Sequence, residues 1–153
     1  MTRRAVLPIA AAVAALALAA PSLAAGPSAW AKSADSICKK YEKKIDEISE
    51  PKSLKEAIAD NEKFLGFRTA QTKEIAKLSR PAADKADIAK LLGYYDQEID
   101  VVKRLIAALK ANDERKNEKK MSSIIVEGAS IANKRKSIAK QLGAVGCTTT
   151  NSE

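Results

Sequence analysis

The sequence predicts an all-α protein: an up-down-up-down antiparallel four-helix bundle with one short first helix, preceded by a signal peptide. Three observations predict it. Apolar residues recur every three or four positions along nearly the whole chain beyond residue 33, with no alternating strand pattern. Turn signals at Pro51, at Pro81 and in the polar run 112–117 divide that pattern into four stretches. The connections between the stretches are short, which favours antiparallel neighbours.

The first helix is expected over Ala34 to Ser49, with Ser33 or Asp35 as its cap and a stripe of Ile37, Tyr41, Ile45 and Ile48. Pro51 cannot continue it but suits the start of the next. The second helix is expected over Lys52 to Ser79. Ser53 and Glu56 have the spacing of a capping box, and Leu54, Ile58, Leu65, Ile75 and Leu78 form the stripe. Arg68 and Thr72 continue that stripe where apolar residues are expected; an arginine there can bury its stem and keep its head wet. The third helix, Ala82 to Ala111, carries Ile88, Leu92, Tyr95, Ile99, Val102, Ile106 and Leu109 in steps of four and three, an a/d seam that suits either the bundle core or a second copy. The fourth, Glu114 to Leu142, carries Met121, Ile124, Gly128, Ile131, Ile138 and Leu142, with Gly143 as its C′ glycine.

The N-terminus reads as a secretory signal. Arg3 and Arg4 form a basic start, Ala5 to Ala20 an apolar run, and Ser22 and Ala24 satisfy the small-x-small rule, so cleavage is placed after Ala24; Ala29-Trp30-Ala31 offers a later site. The apolar run is short and Ala-rich for a spanning helix, so no membrane span is expected after cleavage. The organisation is then 1–24 signal, 25–33 linker, 34–147 helical domain and 148–153 flexible tail. Localisation is expected to be secreted or in the cell envelope.

Two of the 27 basic residues and none of the 19 acidic ones lie in the leader, so the mature chain keeps 25 against 19, a net charge of +6. Both signs are mixed along it, the pattern of solvated helix faces. The chain has no histidine and two cysteines, Cys38 and Cys147. That composition removes the commonest general base and the usual zinc and haem ligand sets; no cofactor, metal or enzymatic activity is expected. An even cysteine count in an exported chain favours a disulfide, and only one pairing exists. In the predicted topology both cysteines lie at one end of the bundle. Because the first helix is short, Ala144-Val145-Gly146 must fold back to reach Cys38.

Two features are candidates for function. Lys39, Lys40, Lys43 and Lys44 form a basic patch over two turns, read either as a docking surface for an anionic envelope component or as a solvated face. A similar group is Lys134, Arg135, Lys136 and Lys140. The mid-helix glycines Gly66, Gly93 and Gly128 fall at one height with Phe64, Phe67, Tyr94 and Tyr95. This waist reads either as an apolar ligand pocket or as close helix approach with aromatics filling the gaps. Asp96, Glu98 and Asp100 spread over different faces and make no carboxylate pair. Aromatics do not interleave with the positive charge, so nucleic acid is not an expected partner.

The Ala-rich leader, the segment Ala34-Asp35-Ser36-Ile37-Cys38 and the closing Leu142-Gly143-Ala144-Val145-Gly146-Cys147 resemble small exported helical proteins of high-GC Gram-positive bacteria, of unassigned function, with a Cys near each end of the mature chain. The resemblance implies a disulfide framework and carries no activity or ligand. The first expectation for function is a non-enzymatic exported domain that binds a partner or envelope component through a helical face. The alternative is a carrier of a small apolar ligand in the waist.

Overall fold

The computed structural model describes residues 27–111 and 114–149. The signal, its cleavage site and the last four residues of the tail lie outside the described residues. Four helices follow one another, α1 (Ala29–Asp46), α2 (Leu54–Ala76), α3 (Lys85–Ala111) and α4 (Glu114–Gln141), and a short 3-10 turn, Val145–Cys147, closes the chain. They form an antiparallel bundle. Helix α1 packs on α2, α2 on α3 and α3 on α4; α1 and α4 are joined through the 3-10 turn rather than by direct backbone approach.

Helix α1 begins five residues earlier than the sequence reading placed it, so most of the expected linker 25–33 belongs to the domain. Ser28 is the cap: its hydroxyl accepts from the Ala31 amide at 3.1 Å. The cause is tertiary. Trp30, Ala31 and Ala34 are almost wholly buried against the ends of α3 and α4, and that burial extends the helix beyond its local signals. Helix α2 opens with the predicted capping box. The Glu56 amide donates to Ser53 Oγ, and the Glu56 carboxylate returns to the Lys52 amide, one residue before the position expected.

Helix α3 is the spine. Its expected seam is internal rather than turned to a second copy. Ile88, Leu92, Tyr95, Ile99 and Ile106 are buried, and Leu91, Glu98, Val101 and Ala108 add a second buried face. Two faces are needed because α3 packs against α2 on one side and α4 on the other. At the cysteine end, one apolar cluster joins Trp30, Ile75, Ile88, Leu91, Ala139 and Leu142; a second, between α3 and α4, joins Val101, Ala108, Ile124 and Ile131.

Helix α4 ends as predicted on Gly143, at φ +74°. The Gly143 amide donates to the Lys140 carbonyl and the Ala144 amide to the Ala139 carbonyl, the paired bonds of a Schellman motif. The chain then folds back, as the cysteine geometry required. The Gly146 amide meets the Asp35 carboxylate, and Cys147 reaches Cys38 with the two Cα atoms 5.0 Å apart in a disulfide. A Cβ on Gly146 would lie 2.8 Å from Asp35 Oδ1 and 2.9 Å from the Asp35 carbonyl, so only glycine fits there. Thr148 and Thr149, expected in a flexible tail, are held: their hydroxyls donate to the Val145 and Gly146 carbonyls.

Candidate functional site

Among the described residues, each helix carries one buried charged residue on its stripe. On α1, Glu42 stands four residues after Cys38 and three before Ile45; on α2, Arg68 stands four after Phe64; on α3, Glu98 stands three after Tyr95; on α4, Arg135 stands four after Ile131 and three before Ile138. All four are buried, Arg135 to 1% exposure and Arg68 to 4%. The bundle stacks them in one layer, with the cysteine-end cluster on its other side from the cleft described below. The sequence reading left the Arg68 head in water and placed Arg135 in a surface group; both heads are inside. No local pattern reveals this, because a single charge on a stripe reads as an amphipathic residue at an edge. The available signal was that the interruptions come one per helix, two of each sign.

Glu98 is the hinge of the layer. Its Oε1 accepts from Arg135 Nε at 2.6 Å. Its Oε2 lies 3.5 Å from Arg68 Nε, close enough for attraction. That approach does not make a hydrogen bond, so Arg68 Nε and Glu98 Oε2 are both buried without a hydrogen-bond partner among the described residues. Arg68 Nη1 donates to Gln71 Oε1 at 2.7 Å, and its backbone carbonyl accepts from the Thr72 hydroxyl. Arg135 also donates to the Cys147 carbonyl and, at 3.4 Å, to the Thr149 carbonyl, tying the returning tail to the layer. The Tyr95 ring lies 5.5 Å from the Arg68 guanidinium and 5.1 Å from that of Arg135. Its hydroxyl lies 3.4 Å from Cys38 Sγ.

Burial pushes the Glu42 carboxyl above its ordinary value, against the pull of Arg68 and Arg135. Burial draws the Arg68 pKa down and Glu98 opposes it; arginine stays charged at physiological pH. The floor is therefore balanced with Glu42 ionised and carries one net positive charge with Glu42 protonated.

Above this floor lies a cleft of about 200 Å³. Its walls are apolar, from Ile45, Phe64, Val101, Val102, Gly128 and Ala132; Glu42, Arg68, Glu98 and Arg135 form its polar side. It exists because α1, 18 residues long, stops short beside the 28 residues of α4, while their backbones stay apart. A shallower depression under the end of α1 shares Ile45 and Phe64 with it and continues toward Pro51.

The expected waist is thus partly assembled. Phe64 and Gly128 line the cleft, and Tyr95 lies behind it, wholly buried against the guanidiniums. Tyr94 packs instead on the α3–α4 cluster, and Phe67 turns toward α1, where Lys44 Nζ lies 5.8 Å from its ring. Close helix approach holds at Gly128, where a Cβ would stand 3.1 Å from Val101 Cγ1; at Gly66 and Gly93 a Cβ would meet nothing within 4 Å. Glu42 and Glu98 share the cleft although no single helix pairs two carboxylates.

Two of the four lysines of the patch are paired within the fold. Lys39 pairs with Asp35, Lys40 with Glu74, and Lys44 lies over the Tyr41 ring. Lys43 is exposed. Among the described residues no group of three or more His, Cys, Asp and Glu side chains is arranged to hold a metal ion, and no helix is long and apolar enough to cross a membrane. A disulfide of this kind is typical of proteins outside the cytoplasm. No protein-family model, curated protein or solved structure matches this chain.

Proposed function

We propose that this protein is an exported, non-enzymatic carrier of a small, largely apolar ligand, held in the cleft between the four helices. The observation that carries the reading is the cleft itself: an apolar-walled space of about 200 Å³ opening onto a buried polar floor. Bundle interiors are a recognised place for such sites. The leader sequence and the disulfide support a location outside the cytoplasm.

The space is small. An engineered cavity of ~150 Å³ accepts benzene, so this one suits roughly eight non-hydrogen atoms. The test is native mass spectrometry of the mature protein for a co-purified molecule, together with titration of toluene followed by two-dimensional amide NMR. Saturable shifts confined to residues around Val101, Gly128 and Ala132, and their loss in Ala132→Phe, are expected. Shifts that do not saturate, or that survive that substitution, overturn the reading.

A second reading rests on a separate observation. Ile125 and Val126, adjacent on α4, are 56% and 67% exposed, an apolar pair that suits contact with a protein partner through a helical face. Its test is crosslinking from position 126 in the exported fraction, where a single repeated adduct supports it and none refutes it.

A further inference from the structure

Of the charged residues that line the cleft, Glu42 alone ends in no ion pair among the described residues. Glu98 takes both arginines, Arg135 Nε at 2.6 Å and Arg68 Nε at 3.5 Å. Arg68 Nε and Glu98 Oε2 are sealed inside that layer and face each other, not the cleft. Glu42 lines the cleft from α1 and keeps 9% of its surface exposed. Burial holds its carboxyl above the ordinary value. Arg68 from α2 and Arg135 from α4 pull it down, Asp46 on α1 pushes it up, and the Thr149 hydroxyl, which donates to the Gly146 carbonyl, pulls it down. Glu98 of α3 lines the same cleft.

We infer that the cleft takes up a proton together with its ligand: a neutral, apolar molecule is held while the Glu42 carboxyl is protonated and is given up as that carboxyl ionises. A cleft open to solvent lets water reach an ionised Glu42. An apolar ligand lying against Ile45, Phe64, Val101 and Gly128 displaces that water and offers no hydrogen bond in its place. Two effects then compete. Loss of water strengthens the attraction of the two guanidiniums for the carboxylate, and it raises the cost of keeping the anion out of water. The cost wins where the partners do not meet directly, because attraction offsets the desolvation of a buried charge only in close, hydrogen-bonded geometry. Both guanidiniums have their close carboxylate contact with Glu98 instead. The proton comes from solvent on binding and returns to it on release, one for each ligand, so affinity is linked to pH.

This coupling rests on the carrier reading, and one set of titrations separates the two. Toluene is titrated into the mature wild-type protein at steps from about pH 5 to about pH 8 and followed by amide NMR. The Glu42 carboxyl is titrated by carboxyl-carbon NMR with and without saturating toluene. Toluene is expected to bind about tenfold more tightly at the acid end than at the basic end, and Glu42 to keep its proton to higher pH in the complex. In Glu42→Gln the affinity should not change with pH. Equal wild-type affinity across the range, with Glu42 titrating alike free and bound, overturns the coupling and leaves the apolar cleft standing. Tighter binding at the basic end overturns it in favour of an ionised Glu42. A pH dependence that survives in Glu42→Gln places the proton on another group and overturns it too. Failure of toluene to bind at any pH removes the carrier reading itself. The wild-type carboxyl titration needs no substitution, so a variant that fails to fold cannot blur the outcome.

Discussion

Replacing Arg135 by methionine tests the charged layer most directly. The substitution keeps much of the side-chain length and apolar stem. It removes the donor to Glu98 Oε1 at 2.6 Å, the donors to the Cys147 and Thr149 carbonyls, and the cation beside Tyr95. Glu98 is then a buried anion whose remaining cation, Arg68, stands 3.5 Å away outside hydrogen-bond geometry. Breaking a buried pair on one side costs about 3–5 kcal/mol, most of it the penalty of the charge left behind. Against a total stability of about 5–15 kcal/mol this is a large share. Urea unfolding followed by far-UV circular dichroism, at neutral pH with the disulfide intact, measures it. With a slope of about 1–3 kcal/mol per molar urea, the midpoint falls by roughly 2 M. The double variant Arg135→Met/Glu98→Gln removes both charges and should lose less than the sum of the two single losses, because the stranded anion is gone. A loss below about 1 kcal/mol for Arg135→Met, or strict additivity in the cycle, refutes the coupled layer.

Three further outcomes follow from the same structure. Replacing both cysteines, Cys38→Ala with Cys147→Ala, opens a loop spanning a sequence separation of 109 and should cost about 4–5 kcal/mol on the chain-entropy account, measured by thermal and urea unfolding; a loss under about 1 kcal/mol would show that helix packing alone holds the two ends together. A carboxyl whose folded pKa is raised favours folding at low pH and loses that contribution as pH rises from its unfolded through its folded value. Glu42→Gln cannot titrate, so its stability relative to wild type should rise with pH from the ordinary 4.5 upward and be flat below; a relative stability that falls over that range would show Glu42 to be a net stabilising anion. Trp30 is the chain's only tryptophan and is 3% exposed, so the exported protein should keep blue-shifted tryptophan emission and begin at Ala25 by intact mass; loss of all tryptophan fluorescence would place the cut after Ala31 instead.

Much of the fold was legible residue by residue. Gly143 marked the end of α4 because a positive-φ glycine acts locally, whatever packs around it; Pro51 and Pro81 marked the connections only, since α1 stops at Asp46 and α2 at Ala76, five residues before each proline, and α3 begins at Lys85 rather than Ala82. The start of α1 was not legible. Ser33 and Asp35 are acceptable caps, and only the burial of Trp30 and Ala31 against other helices moves the start back to Ser28. Within the waist, Gly128 was readable because it falls on its own stripe. Phe67 and Tyr94 were not, because equal height along a bundle says nothing of the direction in which a ring points.

The chain alone determined the number of helices, their order, the partner of each cysteine and the need for a returning tail. All of these follow from periodicity, turn chemistry and the reach of a few residues. The tertiary structure decided that Glu42, Arg68, Glu98 and Arg135 share one buried layer, and that a cleft opens above it. Periodicity assigns each residue a face on its own helix. How far the helices slide past one another, and which gap a short helix leaves unfilled, is settled only when all four pack together and the disulfide holds the first to the last.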